Sequence, residues 1–141
     1  MSTRARVGIE NEDGSVTSVY THSDGYPEHH APILTEHYGD EGSVRGLLAL
    51  GDLSILAPKI GDAHVFSSHD YASPDCLAYG RDRGEEDVAA VTHPADDWPD
   101  SGQEYEYFFK RATERWAMRS RVWDGSSHGK WKACDASHAV A

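Results

Sequence analysis

Thr3-Arg4-Ala5-Arg6-Val7-Gly8-Ile9-Glu10-Asn11-Glu12-Asp13-Gly14-Ser15-Val16-Thr17-Ser18-Val19-Tyr20-Thr21-His22 decides the fold. From Thr3 to Ile9 the residues alternate: Ala5, Val7 and Ile9 point one way, and Arg4, Arg6 and Gly8 the other. A period of two marks a half-buried strand. Asn11 to Gly14 is a turn cluster in which Asp13-Gly14 supplies the positive φ that hairpin loops need. Val16 to His22, rich in Val, Thr and Tyr, is the returning strand. The chain therefore opens with a β-hairpin.

Helical punctuation follows. Asp24-Gly25-Tyr26-Pro27 is turn chemistry, and Pro32 suits the first turn of a helix that places Ile33, Leu34 and Tyr38 on one face before Gly39. Asp40 is positioned to cap a second short helix with Val44, Leu47 and Leu48 inward and Gly51 as its stop. Leu53 to Ile60, broken by Pro58, reads as a loop packed on the core, Val65-Phe66 as a short strand, and Ser67 to Asp75 as a polar loop. Cys76 to Tyr79 is predicted to be a strand entering a turn over Gly80 to Glu86, and Val88 to Thr92 a further strand. Pro94 to Gly102, with three acidic residues and two prolines, is predicted to be an exposed connection.

The last third is aromatic. Tyr105, Tyr107 and Phe109 alternate with Glu104, Glu106 and Phe108, and Trp116, Met118 and Val122 follow on a later run. Asp124 to Gly129 turns the chain into Lys130 to Cys134, with Trp131 inward, and Asp135 to Ala141 reads as a frayed tail. The fold class is α+β: one domain over residues 1–141, with an antiparallel sheet made of the hairpin and an aromatic meander, and two short helices on one face.

Composition bounds function. A chain of 141 residues buries about two thirds of its unfolded surface, so 38% hydrophobic residues suffice without a staple. A formal charge of −11 argues against nucleic-acid binding, which needs clustered Lys and Arg. Acidity either keeps the chain soluble or fits it to a basic partner. Cys76 and Cys134 form no CxxC pair, which is the pattern of reduced, incidental thiols. No apolar run approaches the roughly 20 residues of a membrane span. The place of action expected is a cytoplasm, or a particle assembled in one.

Three groups of residues carry possible chemistry. In Tyr79-Gly80-Arg81-Asp82-Arg83-Gly84-Glu85, two guanidiniums flank Asp82 between glycines that expose backbone amides. That arrangement suits a phosphate or carboxylate, with Arg81 and Arg83 as contacts. The competing reading is an ion-pair network that pins a loop. At the first corner, Tyr26 could stack on a partner and Asp24 accept a hydrogen bond; equally, Asp24 caps the helix and Tyr26 locks the turn. Nine histidines raise a metal question, but His29, His30, His37, His64 and His69 lack HExxH or Cys/His spacing, so neither metal nor cofactor is expected. No GxSxG or GxxxxGKS occurs and no catalytic residue stands out.

As an ordered set, Gly8 to Gly14, His22 to Pro27, Leu50 to Ser54, Ile60 to His64, Tyr79 to Glu85 and Glu104 to Phe109 resemble a small uncharacterised family associated with bacteriophage genomes and bacterial mobile elements. The resemblance covers residues 3–110 and the strand around Trp131. Its pattern has Trp-Asp-Gly-Tyr-Pro at the first corner, where this chain has Ser23 in place of Trp. It implies a phage accessory protein. Together with the Arg81/Arg83 segment and the acidic charge, the leading expectation is a non-enzymatic one that binds a host protein or a small anionic, nucleotide-like ligand and counteracts host defence in the host cytoplasm. The alternatives are a virion-associated structural protein and a metal-assisted hydrolase; a homo-oligomer fits any of them.

Overall fold

The computed structural model describes residues 3–122, 127–128 and 131–134. The opening hairpin is formed by β1 (Ala5–Glu10) and β2 (Val16–Thr21), paired antiparallel from Ala5↔Thr21 to Glu10↔Val16. Gly14 takes φ 87°, the left-handed value that the turn requires.

Two helices follow, α1 (Pro27–His37) and α2 (Glu41–Leu48). Helix α1 begins at Pro27 rather than around Pro32. Pro27 takes the first helical position, where a missing N–H costs nothing, and Pro32 sits inside the helix, where it deprives the Glu28 carbonyl of its donor. Helix α2 is capped as its sequence predicts: the Asp40 carboxylate accepts from the Ser43 amide at 2.8 Å, the Ser43 hydroxyl lies against the Asp40 amide, and Gly51 follows at φ 76°.

The remaining elements are β3 (Leu53–Ile55), a 3₁₀ turn (Phe66–Ser68), β4 (Leu77–Ala78), α3 (Tyr79–Arg83), β5 (Val91–His93), β6 (Tyr105–Lys110), β7 (Arg115–Val122), β8 (Ser127–His128) and β9 (Lys132–Ala133). Sheet order is β4-β3-β2-β1-β6-β7-β8, with β5 paired to β2 and β9 to β7. The α+β class holds, but the sheet is mixed: β1 pairs parallel with β6, and β2 parallel with β3. Parallel neighbours need a long crossover, and α1 and α2 supply it between β2 and β3. Four local expectations also change. Part of the Leu53 to Ile60 stretch is strand, and Val65-Phe66 is not a strand but leads into the 3₁₀ turn. The expected turn after Tyr79 is a turn of helix, and the strand expected over Val88 to Thr92 is shorter and shifted to Val91–His93. The tail expected from Asp135 onward and most of the turn from Asp124 to Gly129 lie outside the described residues.

Both faces of the sheet are covered, so β1 is buried on both sides and not half-buried as its alternation predicts: Arg6 and Gly8 on the second face are buried as well. Ala5, Val7, Ile9, Val19, Tyr107, Phe109, Trp116 and Met118 meet Leu34 and Tyr38 of α1 and Val44, Leu47 and Leu48 of α2 in the main core. On the other face Val16, Trp98 and Phe108 form a second cluster, joined by Trp131. Residues 94–102 are thus not a fully exposed connection, because Trp98 within them is only 6% exposed. It lies over Gly8: a Cβ there would meet the Trp98 ring at 3.0 Å and Val16 at 2.8 Å. Glycine in a strand marks such a close approach.

Gly8→Ala is therefore expected to destabilise the fold by about 1–3 kcal/mol through overpacking, despite the smaller backbone entropy that alanine loses on folding. Urea unfolding checks this, and an unchanged midpoint contradicts the packing described.

Candidate functional site

The segment from Tyr79 to Glu85 folds as α3 and ends at Gly84, whose φ of 72° is left-handed. Asp82 is its centre. The carboxylate has no exposed surface and accepts from the amides of Ala78 at 2.7 Å and His64 at 3.0 Å. It also accepts from Arg81 Nε at 2.8 Å and Nη2 at 3.0 Å. Burial pushes the Asp82 pKa up, but these hydrogen bonds and the Arg81 charge outweigh it and hold the group below the usual carboxylate range.

Arg81 donates its remaining protons to main-chain carbonyls: Ile60 at 2.9 Å, Gly61 at 3.0 Å and Cys76 at 3.0 Å. A guanidinium has five N–H donors, and all five are engaged inside the chain. Arg81 is therefore a loop pin, not the anion contact its sequence setting suggests. Arg83 is different. It pairs with Glu85 through Nε at 2.6 Å and stays half exposed, with its guanidinium 4.9 Å from the Phe66 ring centre and 5.1 Å from that of Tyr79.

What Arg81 and Asp82 pin is a closed loop over residues 60–75. Its neck is tied by the Lys59 amide to the Pro74 carbonyl and the Cys76 amide to the Lys59 carbonyl, both 2.8 Å. A compact loop with adjacent ends held by its own side chains is an Ω-loop, a type that frequently carries function. It presents Val65, 60% exposed, and Tyr71, 75% exposed. Behind Tyr71 the His69 ring packs edge-on at 4.8 Å and stacks on His64 at 5.0 Å. His64 Nδ1 donates to the Asp62 carbonyl at 2.7 Å, which leaves its Nε2 to accept from His69 Nδ1 at 2.7 Å. The loop thus shows an apolar and aromatic face on a hydrogen-bonded support. The sequence pattern assigns Val65 to a short strand and Tyr71 to a polar loop; their signal is large apolar side chains, with Phe66, in an otherwise small and polar stretch.

The first corner is built differently. Asp24, exposed with φ 57°, does not cap α1; Tyr26 occupies the N-cap position and no side-chain cap bond forms. The lock is Gly25, whose amide donates to Thr3 at 2.8 Å and whose carbonyl accepts from the buried Tyr107 hydroxyl at 2.7 Å. Tyr26 is partly exposed, and the Asp24 carboxylate raises its phenol pKa. Tyr26 leans on His29, which meets His30. The Thr21 hydroxyl donates to the Ala5 carbonyl, so it accepts from His30 Nε2 at 2.9 Å, and His30 Nδ1 in turn accepts from His29 Nδ1 at 2.9 Å. The His30 ring, donating from Nε2 and accepting at Nδ1, is neutral in this chain, and burial lowers the pKa of both rings, most strongly for fully buried His30.

Four of the histidines thus form two pairs, His29 with His30 and His64 with His69, and no group of three or more His, Cys, Asp or Glu able to hold a metal occurs among the described residues. Cys76 and Cys134 are free thiols, both buried. A hollow of about 400 Å³ lies between Thr35 and Gly39 near the end of α1 and Thr113, Glu114, Trp116 and Cys134, separate from both segments. No helix among the described residues is long and apolar enough to cross a membrane. Comparison with protein-family models, curated proteins and solved structures finds no match to this chain.

Removing one member of a buried ion pair strands its partner. Asp82→Ala is expected to cost about 3 kcal/mol or more and to make residues 60–75 the first site of proteolytic cleavage; an unchanged digestion pattern contradicts the pinning. Half-buried His29 and buried His30 give a pH dependence. Their folded pKa values lie below the unfolded one, so their contribution is complete above the ordinary value near 6.5 and is lost as pH falls below it. Urea midpoints measured from pH 7.5 to 5 should fall, and the slope should flatten in His30→Phe.

Proposed function

We propose that this chain is a non-enzymatic accessory protein of bacteriophage type that docks on a host protein in the host cytoplasm, using the loop over residues 60–75. The observation that carries the reading is the exposure of Val65 and Tyr71 on a loop fastened by buried Asp82 and Arg81. Exposed apolar side chains on a pre-ordered loop contribute to binding without the entropy cost of ordering it. Residues 60–75 contain Asp62, Asp70 and Asp75 and no Lys or Arg, and the whole chain carries −11, which suits a partner surface that is basic around an apolar centre.

A second reading rests on Arg83, half exposed beside Phe66 and Tyr79: a small anionic, nucleotide-like ligand stacked against that cluster. The two separate cleanly. Val65→Ser with Tyr71→Ser alters only exposed positions, so stability should stay within about 0.5 kcal/mol of wild type. The docking reading expects host proteins recovered with the wild-type chain at low salt to be lost with this double variant and weakened by salt. Equal recovery with both chains contradicts it. A rise in melting temperature with linear or cyclic nucleotides that disappears in Arg83→Ala would favour the ligand reading instead.

A further inference from the structure

The sheet face away from the helices carries buried polar groups that neither the core nor the loop over residues 60–75 uses. His93, at the end of β5, donates from Nδ1 to the Pro94 carbonyl at 2.9 Å. Its Nε2 is then an acceptor, and the buried Ser18 hydroxyl donates to it at 2.8 Å. Ser18 Oγ in turn accepts from Arg6 Nε at 3.2 Å and Nη2 at 3.0 Å. Arg6 also donates from Nη1 to Ser101 Oγ at 2.9 Å. One connected set of hydrogen bonds therefore holds both ends of the segment over residues 94–103, and Trp98 between them is pressed onto Gly8, Phe108 and Trp131. Gln103 closes the far end, donating to the Pro99 carbonyl at 2.6 Å and to Glu106 at 2.9 Å.

We propose that His93 is a proton-operated latch: protonation at Nε2 releases the segment over residues 94–103 from the sheet and uncovers the apolar cluster of Trp98, Phe108 and Trp131. With a proton at Nε2 the ring becomes a donor facing the Ser18 hydroxyl, which can no longer donate to it. The oxygen of that hydroxyl is already engaged by Arg6, so the two donors compete for it.

The groups facing His93 set the balance. Ser18 comes from β2, Arg6 from β1, Glu106 from β6, and Asp97 and Trp98 from the segment itself. Burial opposes the charged ring most strongly, and the Arg6 charge adds to it; the Pro94 carbonyl, Glu106 and Asp97 favour it. Glu106 is already committed to Arg119 Nε at 2.6 Å and to Gln103. The net effect keeps His93 neutral to below its ordinary range. Acid therefore breaks the latch at the expense of the neutral-ring contacts, while the backbone pairing of β5 with β2 from Val16↔His93 to Ser18↔Val91 remains.

Hydrogen-exchange mass spectrometry on the intact chain at pH 7.5 and 5, corrected for intrinsic exchange rates, tests this. In the wild type, protection over residues 94–103 should drop at least tenfold more than protection over β1. In His93→Gln, whose amide oxygen accepts from Ser18 without titrating, the extra loss should vanish. Equal losses in segment and strand overturn the proposal, and so does the same extra loss in the variant. Should the glutamine chain not fold, the wild type still decides: the ring of His93, followed by NMR, must titrate at the pH where the segment opens, and separate midpoints overturn the latch.

Discussion

The buried carboxylate of Asp82 is the constraint on which the loop over residues 60–75 depends. A charge removed from water needs several strong partners, and Asp82 takes them from three directions: β4 through Ala78, the loop through His64, and its own helix through Arg81. Because each partner is a fixed main-chain or guanidinium group, satisfying the charge also fixes where the loop sits. Arg81 extends the same logic to the loop's entrance through the carbonyls of Ile60 and Gly61. The stability gain from such a pair against an apolar substitute is small or negative; what it secures here is one loop conformation, with Val65 and Tyr71 outward.

The same economy recurs elsewhere on a smaller scale. Tyr107 reaches from β6 to hold the Gly25 carbonyl, so the chain's first corner is tied to the central strands. Arg6 reaches from β1 to Ser101, so the second face of the sheet holds its own cover. In each case a long polar side chain rooted in a strand restrains an irregular segment that could not order itself. Side-chain hydrogen bonds in low dielectric are strong enough for this, and costly if left unmade.

Features governed by neighbours in sequence were legible before any coordinates. The Ala5-Val7-Ile9 alternation, the Asp13-Gly14 turn, the Asp40 cap and the Gly51 stop all depend on residues within a few positions, and all appear as read. Features governed by distant partners were not. Pro32 looked like a helix start because nothing local says that Pro27 takes that place. The parallel pairing of β1 with β6 joins positions about a hundred residues apart, and alternation alone carries no strand direction. Trp98 sits among acidic and proline residues that mark an exposed connection, and only the bare backbone at Gly8 makes a place for its ring. The candidate site divides the same way. The segment from Tyr79 to Glu85 stands out in the sequence, yet the partners that engage Arg81 and Asp82, Ile60, Gly61 and His64, lie about twenty residues upstream. Arg81 and Asp82 form the pin, Arg83 stays outward, and the exposed apolar side chains of the pinned loop are Val65 and Tyr71.

The amide of His64 offers the most direct measurement of the central claim. It belongs to a surface loop, and its bond to a buried carboxylate is what ties that loop down. Native-state hydrogen exchange followed by NMR should show it protected far beyond the neighbouring Ala63 amide and exchanging in step with Ala78, the other amide bound to Asp82. Exchange of His64 at the rate of an unstructured peptide, with Ala78 still protected, would contradict a loop held in place by Asp82.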